Sequence, residues 1–155
     1  MAFSEDMYEE APEFPERLEQ VLVYAVNEAR NTLMENGGFV PFVAVLVSEE
    51  DVMIETQAGD NEEELYASAQ RAVENTEDAR AYAFCYDGYV EDENGQQVDA
   101  IIAEGGIPGD PAGYAVCCIY TVEGDEITVE DEIVYIGDAP NFLEDCCLDG
   151  EEREI

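Results

Sequence analysis

Cys85, Cys117, Cys118, Cys146 and Cys147 are the thiols of a 155-residue chain that contains no histidine and no lysine. Without imidazole there is no Ser-His or Cys-His pair, no His-ligated metal and no imidazole base. Without lysine there is no Schiff base, no pyridoxal enzyme and no phosphate-binding P-loop. The glycine-rich stretch 105–113 lacks the Gly-Lys-Ser/Thr ending of such a loop and reads as a plain connection. A reactive thiolate needs positive charge nearby, and here 40 acidic residues face 5 arginines (Arg17, Arg30, Arg71, Arg80, Arg153). Surrounding carboxylates and burial both favour the neutral thiol. Cys85 and Cys117 fall in apolar segments, adjacent Cys117 and Cys118 would point to opposite faces of a strand, and no Cys-x-x-Cys occurs. The odd count and the adjacent pairs do not make a secreted disulfide framework, so reduced, packing thiols are expected, with Cys146-Cys147 the pair most able to depart from that role.

With so many carboxylates, pairs arise by chance. Asp92-Glu93-Asn94-Gly95 resembles a calcium loop, but placing Gly95 at the sixth position puts Val90 at the first and Ile101 at the twelfth, where oxygen ligands are needed. A hairpin turn is the expectation. No catalytic, cofactor-binding or metal-binding residue is assigned, and no cofactor is expected. The aromatic residues are more suggestive. Tyr82, Phe84 and Tyr86 alternate along one predicted strand and Tyr114 and Tyr120 along another. They are expected to form a stripe on the sheet face away from the helices, either a partner surface or a partly covered second core.

The formal net charge of −35 excludes free nucleic acid as a ligand, since phosphates would be repelled where binding normally gains from basic patches. Anionic membrane surfaces are disfavoured in the same way. One explanation of the charge is adaptation to a high-salt cytoplasm, with carboxylates replacing lysine on every surface segment. The other is mimicry of a polyanion that occupies a basic nucleic-acid-binding protein, with Glu49, Glu50, Asp51, Glu62, Glu63, Glu64, Glu91, Asp92 and Glu93 as candidate carboxylates. A carboxylate enzyme using a divalent cation is a third reading.

The elements that must position these groups begin with a helix over 15–35, where Leu18, Val21, Leu22, Ala25, Ala29 and Leu33 recur at helical spacing and Asn36-Gly37-Gly38 supplies the stop. The apolar run 39–47 is the first strand, and 52–58 returns as a hairpin. Asn61 with Glu64 has the form of a capping box and opens a second helix with Leu65, Ala69, Ala72 and Val73 on one face. Strands are predicted at 80–90, 98–103, 114–122 and 127–136, the first two joined by the Asn94-Gly95 turn. Small Ala81, Ala83 and Cys85 suit close packing of a helix.

The order α-β-β-α-β-β-β-β with short links predicts an α+β fold: two layers, a mostly antiparallel sheet of about six strands, and both helices on one face. Residues 1–14 are expected to be a flexible acidic arm, 15–148 a single domain and 149–155 an acidic tail. Phe142, Leu143 and Leu148 are expected to dock the end of that domain. The start of the chain lacks a basic, apolar leader pattern and no apolar run reaches spanning length, so a cytoplasmic, non-membrane protein is expected.

The helix followed by Gly-Gly-Phe-Val-Pro-Phe-Val-Ala-Val-Leu, then a second helix and a tyrosine-bearing strand, resembles a set of small uncharacterised bacterial α+β proteins over residues 16–105. The resemblance implies a fold but transfers no catalytic residue. The expected role is that of an acidic binding or accessory protein rather than an enzyme, with a homodimer or a basic protein as candidate partners.

Overall fold

The computed structural model describes residues 3–4, 15–48, 51–92 and 94–144. Among them, α1 (Glu16–Asn36) and α2 (Glu62–Glu74) accompany strands β1 (Phe3–Ser4), β2 (Phe42–Leu46), β3 (Val52–Thr56), β4 (Ala81–Glu91), β5 (Gln97–Gly106), β6 (Gly113–Glu123), β7 (Glu126–Val129) and β8 (Ile133–Ala139). The sheet runs β1-β8-β6-β5-β4-β2-β3, with β7 paired to β6. Apart from the parallel β1–β8 pair, all neighbours are antiparallel. The expected α+β class with a largely antiparallel sheet is therefore the fold of the chain. Among the described residues no helix is long and apolar enough to cross a membrane.

The first helix follows from its sequence. Its apolar stripe Leu18, Val21, Leu22, Ala25, Val26, Ala29 and Leu33 is fully buried, and it ends where Gly37 takes φ +83° and donates its N–H to Leu33 O at 2.8 Å. It packs on Phe42, Ala44 and Leu46 of β2, Ala81, Ala83 and Cys85 of β4, and Ile101 and Ala103 of β5. Close approach depends on small residues. A Cβ at Gly105 would stand 2.2 Å from Tyr82 O and 3.1 Å from Leu22 Cδ2, so only glycine lets β5 lie this close to β4 and α1 there.

The second helix is capped as its sequence requires: Asn61 Oδ1 accepts the Glu64 N–H at 2.9 Å, while Glu64 Oε1 accepts the N–H of Asp60 at 2.9 Å, one residue before the cap. Its buried residues Ala69 and Val73 belong to a second cluster with Val43, Val45, Tyr82, Phe84 and Leu143. These are the alternate side chains of β2 and β4, so α2 covers the opposite side of the sheet from α1. The topology explains the placement. β3 and β4 run parallel with β2 between them, and α2 is the crossover that carries the chain from one to the other.

Two further differences have clear causes. The return strand expected over 127–136 is broken into β7 and β8: four residues of β6, Cys117 to Tyr120, face six of the returning chain, Val129 to Val134. The break holds exposed Glu130, Asp131 and Glu132, and Arg30 Nη2 of α1 reaches the Glu130 carbonyl at 3.2 Å. At the front of the chain, the expected acidic arm contains the short strand Phe3–Ser4, in register with Ile133 and Val134.

Candidate ligand-binding groove

The aromatic residues of β4 do not form a free stripe with those of β6. Tyr82 and Phe84 are fully buried on the α2 side and Tyr86 is half-buried beside them, whereas Tyr120 is buried on the α1 side and half-buried Tyr114 packs there too. The register through β5 divides the five residues between the two faces. What sequence alternation presents as one surface is thus two separate sets.

On the α2 side the rings form a connected cluster. Tyr66 of α2 meets Phe84 edge-on at 5.2 Å, and Tyr82 stacks on Phe142 at 5.0 Å with only 13° between planes. The Tyr82 hydroxyl donates to Pro140 O at 3.1 Å and accepts the Phe142 N–H at 2.9 Å, which fixes the segment after β8. Buried Asn141 completes that attachment by donating to Ile107 O and Asp110 O at 2.8 Å each and accepting from Leu143 N–H at 2.9 Å. Phe142 and Leu143 dock as expected, while Leu148 lies outside the described residues.

One acidic side chain sits inside this aromatic cluster. Glu104, half-buried on β5, accepts on its Oε2 both the Tyr66 hydroxyl, at 2.5 Å, and the Tyr86 hydroxyl. Burial first, and then the carboxylate, push both phenols well above the ordinary tyrosine range. Burial also raises Tyr82. The phenols are therefore neutral donors at any physiological pH, both directed at the same Glu104 oxygen. Neither Tyr66 nor Glu104 was a sequence-level candidate. The available signal is an isolated carboxylate in the buried run Ala100-Ile101-Ile102-Ala103-Glu104-Gly105, with no arginine among its neighbours to account for it.

Next to the cluster lies an open groove of about 660 Å³. Its origin is a mismatch in strand length. β4 continues to Glu91, but β2 pairs with it only as far as Cys85, so the remaining β4 edge stands free beneath the first turn of α2. Tyr66, Phe84, Tyr86, Ile102 and Glu62 line the groove from the α2 side, and Asp87, Tyr89 and Asp99, which strand alternation places on the α1 side, border it at the open β4 edge. Tyr89 is 60% exposed, which makes it the accessible ring. Asp87 also accepts the Tyr120 hydroxyl at 2.7 Å. Aromatic faces combined with carboxylates, and no arginine among the described lining residues, suit a cation that carries some apolar surface.

The candidate mimic carboxylates are dispersed. Asp51 lines a different groove, between β3 and α2, together with Arg71. Glu62, Glu63 and Glu64 occupy the first turn of α2, and Glu91 and Asp92 stand at the β4–β5 turn, where Asp92 Oδ1 accepts the N–H groups of Asn94 and Gln96. Glu49, Glu50 and Glu93 lie outside the described residues.

The thiols Cys85, Cys117 and Cys118 are free and buried, and burial raises all three, Cys117 to about 12. Even Cys118, with Arg30 Nη2 at 3.3 Å, is shifted upward, and its own S–H donates to Glu130 O at 3.0 Å. Cys146 and Cys147 lie outside the described residues. Among the described residues no group of three or more acidic or cysteine side chains could hold a metal ion. No family model, curated protein or solved structure matches the chain.

Proposed function

We propose that the chain is an acidic binding or accessory protein whose groove over β4 and β5 receives a cationic group, the guanidinium or ammonium of a basic partner, while most of its charge is an adaptation to a high-salt cytoplasm. One observation carries the first half: rings and carboxylates share one concave site, so a cation gains ring-face and charge attraction together. The dispersal of the candidate carboxylates over two grooves and a hairpin turn supports salt adaptation over mimicry, which asks for a row of charges.

Titration with an arginine-rich peptide and its citrulline counterpart at molar potassium chloride tests the groove. The arginine peptide is expected to bind, and Tyr89→Ala and Asp99→Asn are expected to weaken it by different routes. Equal binding by both variants and the parent chain would reduce the interaction to general charge attraction and remove the groove from it. Melting across a salt series tests the second half: a melting temperature that stays level from dilute buffer to molar salt rules out salt adaptation.

A further inference from the structure

We infer that β3 is a docking edge for a second copy of this chain, which pairs antiparallel with it about Ile54 and joins two sheets into one. β3 is the terminal strand of the sheet order. Its direction of hydrogen bonding is fixed by two contacts with the β2 side: the Val47 N–H donates to Asp51 O at 2.9 Å, and the Gln57 N–H donates to Pro41 O at 2.8 Å. Odd-numbered residues of β3 therefore direct their main chain at β2. By alternation the N–H and C=O groups of Val52, Ile54 and Thr56 point away from it, along the open edge.

Natural edges are blunted by charge, proline or bulges, yet β3 is regular and carries exposed apolar side chains on both faces, Met53 at 57% and Ile54 at 44% exposure. Charge selects both the occupant and the register. A two-fold axis at Ile54 sets Ile54 against its copy, Val52 against Thr56, Met53 against Glu55 and Asp51 against Gln57. No carboxylate then faces another. An axis at Met53 would set Asp51 against Glu55, and an axis at Glu55 would set Glu55 against itself, each a like-charge pair at direct cross-strand distance. The Ile54-centred register also makes Ile54 and its copy a hydrogen-bonded pair, as its outward main chain requires. Ile54 shares a small niche of about 250 Å³ with Phe39, Val40 and Phe42, with Glu28 and Thr32 also in its wall, so the second copy meets apolar side chains beside Ile54. The general repulsion between two such acidic molecules is reduced by salt, which makes pairing a high-salt property.

This inference is independent of the groove, which opens along β4. Sedimentation of the full chain in molar potassium chloride tests it. The expected result is a dimer that dissociates as salt is lowered. Met53→Arg, which faces Glu55 of the other copy twice per dimer, should tighten association at low salt by roughly 2- to 30-fold, as two cross-strand ion pairs would. Met53→Glu should weaken it by a similar factor, and Ile54→Glu should give a monomer. Both positions are solvent-exposed, so unchanged circular dichroism and melting of the monomer are the control. A monomer at every salt concentration overturns the inference, as does a dimer indifferent to Met53→Arg, Met53→Glu and Ile54→Glu.

Discussion

The two faces of the sheet solve the same problem with opposite materials. Under α1, small residues Ala81, Ala83, Cys85 and Ala103 meet Ala25 and Ala29, with Gly105 admitting backbone and side chain where a methyl group would not fit. Under α2, a shorter helix, the face is built from rings, and it holds the paired phenols and carboxylate of Tyr66, Tyr86 and Glu104. Close packing of small groups leaves no room for a ligand. Large rings under a helix that covers only part of their strands leave a groove and bury polar atoms that must be satisfied. The two sides thus differ in what they are built from, and perturbations should tell them apart.

The largest effect should come from alkali. Tyr66, Tyr82 and Tyr86 are raised from an ordinary value of 10.0, and Cys85 is raised from 9.0 on the α1 side. A raised value in the folded state means that folding holds protons that the unfolded chain releases. Stability is therefore complete below about pH 9 and falls as pH rises past 10 toward the folded values. Urea midpoints between pH 7 and pH 11 should fall accordingly, and the Tyr66→Phe, Tyr86→Phe double variant should flatten that slope. An unchanged slope would mean that the aromatic face does not dominate the alkaline transition.

Leu22→Ala comes next. It removes a fully buried side chain against the small-residue face and should cost about 2–5 kcal/mol in urea unfolding, without weakening peptide binding at temperatures where the variant is folded. Tyr86→Phe should cost about 1.5–3 kcal/mol, because the lost hydrogen bond is to a carboxylate. Its effect should not add to that of Tyr66→Phe, since both phenols share one oxygen. The smallest change is Asn61→Ala, which removes the α2 cap and should cost about 1 kcal/mol. If that substitution also weakens the arginine peptide, the first turn of α2 is a working wall of the groove.

Much of this architecture is legible from local signals. The period of Leu18 to Leu33, the Asn61 and Glu64 pair, the Asn94-Gly95 turn and the small residues of β4 each name their element, because each rests on contacts within a few residues. The face taken by α2 is not local. It depends on which strand β4 joins, and pairing β4 with β2 rather than β3 turns α2 into a crossover. The break at residues 130–132 is hidden for a similar reason, since Arg30, far off in sequence, meets it only after folding. β5 runs on to Gly106 although Glu104, Gly105 and Gly106 look like a strand ending: the glycines are there for close approach and the carboxylate for two phenols. The tyrosine stripe fails because alternation gives parity within a strand, and only register relates parity between strands.

The unequal reach of β2 and β4 makes the cavity adjustable by chain length alone. Pairing of β2 with β4 ends at Phe42 and Cys85; were the chain before Phe42 to continue along the bare margin of β4, the hollow would shorten by whole residue pairs. Moving one strand end would thus change the size of the hollow while leaving every ring in place.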